Sequence, residues 1–145
     1  MAETLGSLSD KLSIETIRLQ KMKAANVDPQ LINNVENKVA NLRSEIDSYI
    51  VEAIRGNVAL EEPKFKFYRN ENAAGDKLET VSDALARLIE ANYTLWNLED
   101  IRRDKTNYTD EQRMRAMDEV ATWNRIRNDA MDAINSKLVV MISRK

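Results

Sequence analysis

Val35-Glu-Asn-Lys-Val39-Ala-Asn-Leu42-Arg-Ser-Glu-Ile46-Asp-Ser-Tyr49-Ile-Val-Glu-Ala53 sets six apolar side chains alternately four and three residues apart. Residues at those spacings return to one face of a helix, so Val35, Val39, Leu42, Ile46, Tyr49 and Ala53 draw a continuous seam. Asp28 and Pro29 offer an N-cap and a first-turn residue, and Gly56 stops the pattern, which predicts a helix over 29–55. Such a seam does not stay in water. It demands partner helices, from the same chain or from a second copy.

The flanking sequence supplies them. Leu5, Leu8, Leu12, Leu19 and Met22 form an apolar stripe with Glu15 inside it, on a helix predicted to start near Ser7 or Ser9 and to reach Ala25. A third helix, capped by Asp76 and running to Lys105, follows Leu78, Val81, Leu85, Leu88, Asn92, Leu95, Glu99 and Arg102. The fourth opens on the capping-box pair Thr109 and Gln112 and follows Met117, Val120, Asn124, Arg127, Met131, Ile134, Leu138 and Met141. Between the second and third lies the long connection, 57–75, where Pro63-Lys-Phe-Lys-Phe-Tyr-Arg69 alternates basic and aromatic side chains. It reads as a crossover whose rings cover the bundle, with a short edge strand, a partner-binding segment or, least of all, a nucleic-acid contact by charge and stacking as the alternatives. Short links favour antiparallel neighbours. The expected fold class is therefore all-α: an antiparallel four-helix bundle in a single domain, 1–145, completed or extended by homodimerisation.

Composition narrows the chemistry. The chain has 145 residues, 43% apolar and 32% charged, with only three glycines and two prolines to interrupt helices. Its formal charge of −2 gives no general attraction to nucleic acid. Cysteine and histidine are both absent, which removes disulfides, thiol nucleophiles, the commonest metal ligand and the commonest general base. The first residues lack a basic stretch followed by an apolar one, and the longest apolar run, Leu138 to Ile142, is too short for a bilayer. The expectation is a cytoplasmic protein with no membrane or nucleic-acid partner, no metal and no cofactor.

The third and fourth stripes both turn polar where a bundle normally buries leucine. An antiparallel hairpin brings Asn92, Trp96, Glu99 and Arg103 towards Asn124, Arg127 and Asn128, and these seven form the candidate ligand-binding or structural polar network. Buried Asn, Glu or Arg requires partners, and Glu99 with Arg127 is the expected ion pair. Asn92, with Leu95-Trp-Asn-Leu-Glu-Asp-Ile-Arg-Arg103, resembles the Asn-x-x-x-Trp-x-x-Glu-Asp-x-x-Arg pattern of a bacterial all-helical family of unknown function, some of whose members are encoded beside sugar-transfer genes. Asn124, Arg127 and Asn128 resemble that family's second pattern, Asn-x-x-Arg-Asn, and Leu5 to Ile14 resembles a start found among its members. Where the family commonly has Ile-Asp, this chain has Val120-Ala121 and Ile134-Asn135. The resemblance implies a helical fold and supplies no reaction.

Catalytic classes find little footing. Without histidine the di-iron bundle arrangement is excluded. Glu99, Asp100 and Asp104 are the carboxylates for an oxygen-only magnesium site, but they lack the paired array of helical nucleotide pyrophosphatases. Leu42 to Asp47 resembles a fragment of helical chorismate mutases, for which Arg18, Lys38, Arg43 and Arg55 are the available cations. The expected function is a noncatalytic protein-interaction or assembly domain, with a homo-oligomer or another protein as partner. The alternative is a small-molecule-binding protein or enzyme of carbohydrate metabolism, using the polar site between the third and fourth helices.

Overall fold

A reciprocal cap begins the first helix at Thr4, ahead of Ser7 and Ser9. The Ser7 N–H donates to Thr4 Oγ1 at 3.1 Å and the Thr4 N–H to Ser7 Oγ at 2.9 Å. The computed structural model describes residues 3–58, 60 and 78–143, and among them four helices form: α1 (Leu5–Ala24), α2 (Pro29–Ile54), α3 (Val81–Arg103) and α4 (Asp110–Ser143). Asp28 caps α2 as its sequence predicts, accepting from the Gln30 N–H at 2.9 Å. Thr80 caps α3, four residues later than the expected Asp76, which lies outside the described residues together with the Pro63–Arg69 segment. The Thr109–Gln112 box ahead of α4 closes in both directions, at 2.8 and 3.1 Å.

The helices pack as an antiparallel four-helix bundle. α3 and α4 form one hairpin, α1 and α2 the other, and α1 also packs on both α3 and α4. Leu5, Ala84, Leu88, Ala130, Ile134 and Leu138 make a buried cluster, against which Ile46, Tyr49 and Ile50 of α2 rest. Leu88 and Ile134 are the largest fully buried side chains, each worth roughly 1.5–3 kcal/mol by removal from water. No helix among the described residues is long and apolar enough to cross a membrane.

The α2 seam forms as read: Leu42 and Ala53 are buried, and Val35, Val39, Ile46 and Tyr49 are half-buried. The α3 and α4 stripes hold in part: Leu88, Asn92, Ile134 and Leu138 are buried as read, and other positions turn outward. Leu85, Met117 and Met141 are 36%, 56% and 60% exposed, while Ala84, Ala91, Ala116 and Ala130 are buried. Alanines at the contact let the two axes approach closely, and that close approach turns the longer apolar side chains to the flanks.

Central to the packing is α1, which is covered on two sides. Its leucine side bears Glu15, whose Oε1 lies 3.4 Å from Lys38 Nζ of α2 and 3.3 Å from Arg18 Nη1. Its other side is small and polar: Gly6, Ser9, Asp10 and Ser13 are all buried, with Ile17 beyond them. Near the start of that face the Gly6 N–H, one of the unpaired donors of a helix N-terminus, donates to Asn135 Oδ1 of α4 at 2.7 Å.

A Cβ on Gly6 would stand 2.6 Å from the Met131 carbonyl oxygen, a backbone atom that cannot swing away. Gly6→Ala ordinarily gains helix propensity of about 1 kcal/mol. Here the overlap should reverse the sign and destabilise by about 1–3 kcal/mol, as read from the midpoint of urea unfolding. A neutral or stabilised variant would mean that α1 and α4 do not touch at this point.

Candidate functional site: a groove between α3 and α4

Three helices converge on the Asp10 carboxylate. Arg127 of α4 grips it with both arms of its fork, Nε to Oδ1 at 2.9 Å and Nη2 to Oδ2 at 2.6 Å. Asn92 of α3 donates through Nδ2 to Asp10 Oδ1 at 2.9 Å and to Ser13 Oγ at 3.1 Å. The Asp10 side chain is 7% exposed and that of Arg127 29%. The carboxylate to which it is hydrogen-bonded raises the pKa of the Arg127 guanidinium above its ordinary value, against the opposing effect of burial.

This corrects the expected pairing. Arg127 is joined to Asp10 of α1, and Glu99 instead accepts from its own helix neighbour Arg102, at 2.8 Å from Nη2 and 3.0 Å from Nε, with Arg103 Nη2 at 3.7 Å. The expectation paired the two polar stripes of the hairpin with each other, whereas the buried partner comes from a third helix. Asp10, Ser13, Gly6 and Asn135 were not among the sequence candidates. A signal for three of them was present, since Gly6, Asp10, Ser13 and Ile17 recur at three- and four-residue steps opposite the leucines.

Beside this network a groove of about 350 Å³ opens between α3 and α4. Asn92, Trp96, Glu99, Arg103, Asn124 and Arg127 all line it, six of the seven candidates; Asn128 is exposed and does not. Ile14, Leu95 and Val120 add apolar walls, and Asp100 joins the rim. Ile14 is the one α1 residue on the groove. One turn or two farther on, α1 leans towards the other flank of α3, where Lys21 lies 4.9 Å over the Tyr93 ring and donates to Asn97 Oδ1 at 3.2 Å. The side of the hairpin lined by Trp96, Glu99, Arg103 and Asn124 is therefore left open.

Past Arg103 the groove widens into a recess of about 610 Å³ lined by Arg102, Arg103, Lys105, Asp110, Arg113, Met114 and Met117. Arg113 pairs with Asp110, and its Nε is buried with no hydrogen-bond partner among the described residues. The turn below is fastened by Asp104, whose Oδ1 accepts from the Thr106 and Asn107 N–H groups at 3.0 Å and whose Oδ2 accepts from Asn107 Nδ2 at 2.8 Å.

Neither catalytic alternative is assembled. Asp104 is committed to the turn, and among the described residues no three His, Cys, Asp or Glu side chains group as a metal ion would require. Arg18 and Lys38 meet at Glu15 and Arg55 pairs with Glu52, so the cations do not converge on one pocket. Comparison with protein-family models, with curated proteins and with solved structures finds no match for the chain.

Two outcomes follow from this geometry. Asp10→Asn and Arg127→Met should each cost about 3 kcal/mol, because either leaves a buried charge without its partner. The double variant should lose much less than the sum. Glu99→Gln should stay within about 1 kcal/mol, as an exposed pair does. Chemical denaturation of the four proteins checks this, and additive losses at Asp10 and Arg127 would dissolve the pair.

The second outcome concerns pH. Hydrogen bonds from Asn107, its side chain foremost, lower the Asp104 pKa below the ordinary carboxylate value. A lowered folded value means that the turn is fully stabilised above the unfolded pKa of about 3.9 and loses that support as the pH falls through the folded one. Amide exchange at Thr106 and Asn107, corrected for intrinsic rates, should lose protection over that acid window while α3 keeps its own. Protection independent of pH would contradict it.

Proposed function

We propose that this chain is a noncatalytic assembly domain in which the α3–α4 groove receives a segment of a protein partner. One observation carries the reading: the groove has apolar walls and lies open, while the charged groups beside it already answer one another. Arg127 is neutralised by Asp10, and Glu99 by Arg102 and Arg103. Groups so occupied hold a shape rather than move a proton, since a general acid or base must be free to exchange one. Trp96, half-buried on the wall, offers the kind of aromatic anchor that dominates protein interfaces.

The small-molecule reading keeps one specific support, the convergence of six candidate polar side chains on a groove whose volume falls in the ligand range. Against it stands the groove's openness along its length, because pockets for small ligands enclose most of the ligand's surface. A second copy of the chain is the third occupant to distinguish. Of the surfaces that suggested a homodimer, the α2 seam packs against α1 and Leu138 is buried, while Val140 and Met141 stay 41% and 60% exposed.

A photo-crosslinking side chain at Asn124, on the groove, and another at Ser44, exposed on α2, separate these readings in the source cell. The expected result is one protein species joined at residue 124 at least tenfold more efficiently than at 44. Equal labelling from both positions would overturn the groove as a docking surface. A retained metabolite displaced by Asn124→Trp would transfer the site to the small-molecule reading. Crosslinked dimers of the chain itself, matched by concentration-dependent sedimentation, would make the occupant a second copy.

A further inference from the structure

The far half of the groove differs in charge from the near half. Arg102, Arg103, Lys105 and Arg113 surround the recess at the turn, with Asp110 the one acidic side chain lining it. Between them Met114 and Met117 stand 68% and 56% exposed, an adaptable apolar surface set among cations. Lys105 is exposed and forms no ion pair among the described residues, and the Arg103 side chain is 73% exposed.

The fold shows what such a trough accepts, because α1 already occupies its upstream end. There a helix lies between α3 and α4 with small residues at the contact, and it offers one carboxylate, Asp10, to the donors Asn92 and Arg127. Downstream α1 meets α3 at Tyr93 and Asn97, and the two walls continue beside it. From Leu95 to Arg103 they run for about 12 Å at about 1.5 Å per residue, room for about two turns of helix. The cations there are Lys105, which forms no ion pair among the described residues, Arg103, which lies 3.7 Å from the Glu99 carboxylate it shares with Arg102, and Arg113, which pairs with Asp110.

We propose that the occupant of this groove is an amphipathic helical segment of another protein, its apolar side on Trp96, Met114 and Met117 and its flank rich in Asp and Glu facing Arg103, Lys105 and Arg113. The proposal rests on the protein-docking reading above and adds the chemistry of the partner. Charge complementarity selects an acidic segment, and the methionines select one with an apolar face. Nucleic acid fits the site less well. The recess at the turn offers the thioethers of Met114 and Met117 where stacking aromatics would be needed.

The test uses the full chain and a displayed library of 20-residue helix-forming peptides with all surface positions randomised. Selected peptides are resynthesised with a fluorophore, and binding is followed by anisotropy. Peptides enriched in Asp and Glu on one flank are expected, losing at least tenfold in affinity to Arg103→Glu/Lys105→Glu and several-fold between low and high salt. Circular dichroism identifies a variant that has merely unfolded, and Lys105→Gln, a milder change at an exposed position, should give a smaller loss of the same sign. Peptides of neutral or basic composition whose binding still falls with Met117→Asp would overturn the acidic partner and leave the docking groove standing. Peptides indifferent to both Met117→Asp and Asn124→Trp would overturn the groove reading itself. A 20-nucleotide single strand of DNA or RNA that displaces the best peptide, and shares its dependence on Arg103 and Lys105, would replace the acidic helix by nucleic acid.

Discussion

A carboxylate buried as deeply as that of Asp10 is tolerated only where donors surround it, and that requirement organises the molecule. Its donors are a guanidinium on α4 and an amide on α3, so satisfying one side chain of α1 brings three helices together at one height. Apolar contacts alone tolerate some sliding and rotation of a helix, because dispersion and burial are non-directional. A two-armed guanidinium grip is not tolerant in that way. Gly6, one turn away on the same face, adds a backbone hydrogen bond to Asn135 and a close approach that excludes any larger residue. Together the two points set both the register and the rotation of α1 against α4.

α1 can be held like this because its two faces work differently. The leucine face is matched to the heptad seam of α2, and Glu15 meets Lys38 across that contact. The opposite face carries glycine, serines and one aspartate, and it meets a hairpin drawn tight by alanines. A helix bearing leucine all round would stand too far from α3 and α4 for Asp10 to reach Asn92 and Arg127. The small residues and the buried charge are thus parts of one arrangement: close approach makes the hydrogen bonds short, and the hydrogen bonds compensate for burying the charge.

Openness of the groove is a consequence of the same arrangement. α1 is anchored to the hairpin through Gly6 and Asp10, reaches the groove with Ile14 and then leans towards Tyr93 and Asn97. α3 and α4 continue past it as two walls, with Leu98 and Ala116 buried. Side chains that would be core beneath a longer third helix are left as a trough, with Trp96, Leu95 and Val120 forming its sides. Arg102 and Arg103 fold back on Glu99, which leaves the middle of this surface nearly neutral, and Arg113 pairs with Asp110, so that Lys105 is the cation at the turn without an ion pair among the described residues.

Much of this was legible in the residues. The α2 seam, its Asp28-Pro29 start and the Thr109–Gln112 box appear in the structure as the sequence predicts, because caps and heptads are local and depend on neighbours within a turn or two. The convergence of Asn92, Trp96, Glu99, Arg103, Asn124 and Arg127 on one groove was also readable, since an antiparallel hairpin places those stretches side by side whatever its fine rotation. That rotation was not readable. Whether Leu85 or Ala84 faces the core depends on how closely two axes approach, and that distance is set by every contact at once. The partner of Arg127 was likewise beyond local inspection. Periodicity ranks the faces of one helix by hydrophobicity, and a buried aspartate among serines looks like a solvated face until another helix is laid on it. By itself, then, the sequence determined which segments are helices, where they are capped and which stretches of the hairpin lie opposite each other. Only the tertiary structure decided which charge is buried, what compensates it and where the hairpin stays open, because each depends on partners distant in the chain, 82 residues away for Asn92 and 117 for Arg127.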